Sequence, residues 1–130
     1  MITFFHHIGC LVHKNDDAIA DYKILHPHGI LSELYKIEDQ LVNVQFFEIN
    51  GTYIEFVQPL SEQSSLYKLL KKNAGFHHIG VFTDNIDMEI DRLEKEGYRK
   101  INKFRSSAFD NHYCCFLYNL EMHLIELIEK

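Results

Sequence analysis

Phe5-His6-His7-Ile8-Gly9 recurs as Phe76-His77-His78-Ile79-Gly80, 71 positions later in the chain. A second pair of segments keeps the same spacing: Tyr53-Ile54-Glu55-Phe56-Val57 answers Leu124-Ile125-Glu126-Leu127-Ile128. Asp16 and Ile19 likewise answer Asp87 and Ile90. Each half therefore holds a histidine and a glutamate at matched places, His7 with Glu55 and His78 with Glu126. Imidazole and carboxylate both ligate borderline and hard divalent metals. The duplicated pair predicts one shared site with His7, Glu55, His78 and Glu126 as metal ligands.

The pattern around these motifs predicts β-α-β-β-β in each half. Residues 4–12 are rich in strand formers. Asn15 or Asp16 is the expected cap of a helix carrying Ile19, Tyr22 and Leu25 on one face. Residues 30–39 read as a short strand with irregular flanks. Residues 42–49 and 52–58 read as strands joined by Asn50-Gly51, a strong hairpin signal. The second half repeats this order. Asp84-Asn85 caps a helix with Ile86, Ile90 and Leu93 inward and Glu89, Asp91, Arg92, Glu94 and Lys95 outward. Strands follow at 98–103, 112–119 and 122–128. The fold class is α+β, a single domain of two pseudo-symmetric modules, 1–60 and 75–130, joined by a helix over 61–74.

Alternation decides which side chains share a face. Ile54 and Phe56, Ile125 and Leu127, and Ile8 and Ile79 suit the helix side, so the four candidate ligands face the concave side of a curved sheet. The same reading puts Val42, Val44 and Phe46 against the helix and Asn43, Gln45 and Phe47 in the cavity, with Glu48 on the opposite face from Gln45. In the second half His112, Cys114, Phe116 and Tyr118 line the cavity. Buried glutamates among apolar neighbours cost several kcal/mol if left charged and alone, and a divalent cation would balance both.

Composition narrows the function classes. The chain has 130 residues, and a net charge of -6 does not suit a nucleic-acid binder. No apolar run reaches the ~20 residues of a membrane helix. Cys10, Cys114 and Cys115 offer no disulfide framework. The expected location is cytoplasmic. Arg99, Lys103 and Arg105 alternate along one strand, either to hold an anionic substrate group or to charge an edge against aggregation.

The repeated motifs resemble the vicinal oxygen chelate superfamily, which includes glyoxalase I, methylmalonyl-CoA epimerase, bleomycin-resistance proteins and extradiol dioxygenases. The resemblance spans the chain. The run Glu55-Phe56-Val57-Gln58-Pro59-Leu60-Ser61, through Lys68-Leu69-Leu70-Lys71-Lys72, to Gly75-Phe76-His77-His78-Ile79 is similar to the epimerase branch. It implies two β-α-β-β-β modules forming a cup around one divalent ion (Ni, Co, Zn or Mn). It also implies that Glu126 or Glu55 acts as the base removing a proton alpha to a carbonyl of a small-molecule substrate. The reaction would be that of an isomerase, an epimerase or a lactoylglutathione lyase-like enzyme. The alternative is a non-catalytic small-molecule-binding or resistance module. Gln45 stands where epimerases of this branch can carry a second acid, and the loop at 118–122 is short. Gln45, His112, Tyr118 and Arg105 are the candidate substrate contacts. A homodimer is expected, with no nucleic-acid or membrane partner.

Overall fold

The computed structural model describes residues 3–72 and 75–130. It is α+β, as the sequence predicts. In chain order the elements are β1 (Thr3–Leu11), α1 (Asn15–Leu25), β2 (Ile30–Leu31), β3 (Tyr35–Ile37), β4 (Val42–Ile49), β5 (Thr52–Pro59), α2 (Tyr67–Lys72), β6 (Gly75–Thr83), α3 (Ile86–Lys95), β7 (Arg99–Ser106), β8 (His112–Tyr118) and β9 (Leu124–Glu129). Contacts divide the chain into two compact units. The first is His7–His77; the second is His78–Lys130 with residues 3–6. No helix among the described residues is long and apolar enough to cross a membrane.

In the first unit the strand order is β2-β4-β5-β1, with β3 also on β4. β1 runs parallel to β5 and β4 antiparallel to it. The β4–β5 turn is Asn50-Gly51 with φ of 50° and 84°. Two positive φ values define the type I′ turn, whose twist matches paired strands. Phe47 and Phe56 are fully buried and pack with Ile19 and Tyr22 of α1. The stripe expected along α1 is only partly used. Ile19 is buried, but Leu25, in the last turn before Pro27, is 73% exposed.

The second unit has the order β6-β9-β8-β7. Ile86, Ile90 and Leu93 of α3 pack on Cys115, Leu117 and Leu127. Cys115 is free, and burial pushes its thiol up to about 11. Glu89, expected on the solvated side of α3, is buried and takes the Arg92 guanidinium one turn on. Its position in the first turn suits the helix dipole.

Both long helices start against a side chain from the last strand of their module. The Asn15 N–H donates to Gln58 Oε1 at 2.9 Å, and the Ile86 N–H donates to Glu129 Oε2 at 3.1 Å. These positions match in the repeat. In α1 this replaces the expected side-chain cap: Lys14 holds the cap conformation and makes no side-chain cap bond. In α3 Asn85 caps as expected, its Oδ1 accepting from the Met88 N–H at 3.1 Å. Asn85→Ala is expected to cost about 1 kcal/mol. Urea unfolding with an unchanged midpoint would show that Glu129 alone suffices to start α3.

The helix expected over 61–74 is shorter, because serines hold its first half in turns. Ser61 Oγ accepts from Gln63 N–H and Ser64 Oγ from Leu66 N–H, each at 3.3 Å, while the Ser64 hydroxyl donates to Gln40 O at 2.8 Å. Such local bonds compete with helix. The helix runs only over Tyr67–Lys72, and residues 73 and 74 lie outside the described residues.

The register corrects one expectation. Gln45 pairs with Phe56, Phe46 with Glu55, Phe47 with Ile54 and Glu48 with Tyr53. Paired residues share a face. Phe46 and Glu48 therefore lie on the face of Glu55, while Gln45 and Phe47 lie on the helix side, the reverse of the sequence reading. In the second unit Phe116 pairs with Glu126 and Cys114 with Ile128, as expected. The difference arises in the hairpin loops. The β4–β5 loop has two residues and the β8–β9 loop has five, at 119–123, so the repeat spacing slips by one across this strand. Phe46, not Gln45, corresponds to Phe116.

Candidate metal and proton-transfer site

In the first unit β1 places His7, fully buried, beside β5, where Glu55 is 5% exposed. His7 Nε2 lies 3.5 Å from Glu55 Oε1. Gly9, the last residue of the first pentapeptide, is the strand neighbour of Glu55. With no side chain there, nothing from β1 crowds the carboxylate from alongside. The Phe46 ring meets the His7 ring edge to face at 5.5 Å.

The second unit repeats this arrangement on its own residues. His78 Nε2 lies 3.3 Å from Glu126 Oε1, and both side chains are buried. Gly80 neighbours Glu126. The Phe116 ring meets His78 at 5.2 Å, again nearly perpendicular. In each pair the nitrogen and oxygen ligand atoms lie within 4.8 Å. Ligand atoms this close, of borderline and hard type and in dry surroundings, fit a divalent cation.

The other predicted contacts divide by face. His112, at the exposed start of β8, alternates onto the Glu126 face and has Nδ1 3.0 Å from Glu129 O. Tyr118 is half-buried and alternates onto that face too. Gln45 is on the helix side, where its Nε2 donates to Ser32 O at 3.3 Å. Arg105 is also turned away from Glu126. It pairs with Tyr113, donates to Asn111 O at 2.9 Å and Tyr113 Oη at 3.1 Å, and lies 4.2 Å over the Tyr113 ring. Lys103 joins it over that ring and holds Asp87 at 2.9 Å. A bulge between Lys100 and Asn102 breaks the alternation, so Arg99 falls on the opposite face from Lys103 and Arg105. The row of three cations predicted from sequence does not form.

One acidic residue was assigned to the wrong face. Glu48, half-buried, stands on the face of His7 and Glu55. Its carboxylate accepts a hydrogen bond from Tyr53, and this bond, then the carboxylate's charge, raises the Tyr53 pKa.

Residues 6–116 match the family model described as the glyoxalase/bleomycin resistance protein/dioxygenase superfamily. The chain belongs to that superfamily. Within it, the chain is 28% identical over 126 residues to the uncharacterized protein YqjC of Bacillus subtilis, covering 95% of this chain and 89% of that protein. It is 29% identical over 99 residues to the mitochondrial methylmalonyl-CoA epimerase of Homo sapiens, covering 75% of this chain and 56% of that protein. The crystal structure of methylmalonyl-CoA epimerase from Mycobacterium tuberculosis superposes with a TM-score of 0.84 at 27% identity, covering 97% of this chain and 87% of that one.

Proposed function

We propose that the two His–Glu pairs together hold one divalent metal ion, and that the protein is an isomerase, epimerase or lyase that removes a proton alpha to a carbonyl of a small substrate. The observation that carries this reading is the matched burial of His7 with Glu55 and of His78 with Glu126, one histidine and one carboxylate in each half of the repeat. The methylmalonyl-CoA epimerases among the similar proteins support it.

The four side chains would act as ligands. A bound divalent ion polarises a carbonyl oxygen and so lowers the cost of losing the neighbouring proton. Glu126 or Glu55 is the base that accepts this proton. Phe46 and Phe116 pack edge to face on the two imidazoles and help hold them in place. With Gln45 turned to the helix side, it takes no part in proton transfer.

Elemental analysis tests the metal half of the proposal. One equivalent of divalent metal per chain is expected in the purified protein reconstituted with nickel, cobalt, zinc or manganese. His7→Ala and His78→Ala should each lose most of it. Retention of a full equivalent by both variants would refute the shared site.

A further inference from the structure

We infer, resting on the metal site just proposed, that the substrate is uncharged at its reacting end, an alpha-hydroxy aldehyde or ketone or a comparable neutral oxygen pair, and that Glu48 excludes a free carboxylate there.

The register of the first unit carries the argument. The face holding His7 and Glu55 also holds Phe46, Tyr53 and Glu48. Among the described residues of this unit no lysine or arginine shares that face. Lys36, the cation on β3, pairs with Asn43 and so lies on the other one. Glu48 lies opposite Tyr53, whose other strand neighbour is His7. Its carboxylate thus stands one strand repeat from the ligand pair.

In the second unit the strand neighbours of Glu126 carry no charge: Gly80 on one side and an aromatic ring on the other. Phe116 lies opposite it and stacks on Phe104 at 5.5 Å. The cations nearest in sequence, Lys103 and Arg105, are held over Tyr113 on the far side. Among the described residues of this unit, lysine and arginine come onto the Glu126 face only towards the ends of the strands. Arg99 pairs with Tyr118, and Lys130 lies over the Phe4 and Phe82 rings. They can meet an anionic group remote from the reacting carbon, not one beside it.

Charge balance points the same way. Glu55 and Glu126 already neutralise a divalent ion. A substrate carboxylate would add charge to a neutral centre and face Glu48 as well. Carbonyl and hydroxyl oxygens can coordinate without either cost.

Malonate and malonamide separate these cases, since they share a skeleton and differ in charge. The probe is the cobalt(II)-substituted protein, whose visible absorption changes when a ligand enters the metal's coordination sphere. A carboxylate is intrinsically the stronger cobalt ligand, so the readout is the ratio of malonate to malonamide affinity: Glu48→Lys is expected to raise that ratio about tenfold over the unmodified protein. Glu48→Gln should raise it in part, and cobalt content and the circular dichroism melt check that each variant is folded. A ratio that both Glu48 variants leave unchanged would overturn the inference and leave the metal site standing. A protein that takes up no cobalt would overturn the metal site itself and this inference with it.

Discussion

Glu126→Gln is expected to lower deuterium exchange at the substrate's alpha carbon by about a hundred- to ten-thousand-fold, the usual contribution of a positioned general base. The substitution keeps the size of the side chain and one oxygen able to ligate, but removes the site that accepts a proton. Glu126 is 4% exposed and its Oε1 lies 3.3 Å from His78 Nε2, so water has little access to replace it as base. The measurement is exchange from D2O into a panel of acyl-CoA esters, 2-oxo acids and sugar derivatives, with metal content determined on the same samples. Glu126→Gln that retains metal and loses exchange would identify Glu126 as the base. Full loss in Glu55→Gln with exchange intact in Glu126→Gln would move the role to the first module. Substrate-dependent spectral change without exchange anywhere in the panel would favour a binding or resistance module over an enzyme.

Phe47→Ala is the second large effect, and it reads the register directly. Phe47 is fully buried, with the Phe56 and Tyr22 rings at 6.5 and 6.3 Å. The Gly29 backbone also comes so close to the Phe47 ring that any side chain there would clash with it. Emptying this position should cost about 3–5 kcal/mol, a large part of the ~5–15 kcal/mol that holds a typical domain together. Urea denaturation would show the loss as a lower midpoint. A cost under about 1 kcal/mol would place Phe47 outside the helix-side core and return Gln45 to the ligand face.

How far the sequence reaches can be seen in particular residues. The candidate ligand set was legible because His7, Glu55, His78 and Glu126 lie in strands that repeat at constant spacing, and alternation along a strand is a property of the backbone itself. The faces of β5, β6, β8 and β9 were legible for the same reason. The face of β4 was also legible in principle. Asn50-Gly51 makes a two-residue loop, so counting outward from it pairs Ile49 with Thr52, Glu48 with Tyr53 and Phe46 with Glu55, as found. Alternation alone does not say which of its two sets faces the helix, and taking Val42, Val44 and Phe46 as the helix side chose the wrong one here.

Other features depend on partners that no local pattern contains. The first turn of α1 is held by Gln58, 43 positions away, in place of a local cap. Glu89 looks solvated on a helical wheel, yet it is buried with Arg92 folded over it. Arg99, Lys103 and Arg105 alternate in sequence and part company in the fold. A bulge takes up one residue of β7, and the two cations beyond it settle on the Tyr113 ring. The sequence by itself determined the two modules, their strands and the residues that carry the candidate ligands, because hydrophobic period and turn chemistry act over a few neighbours. Only the tertiary structure decided which charges accompany those ligands, because a bulge, a loop length or a distant hydrogen-bond partner sets which way a side chain finally points.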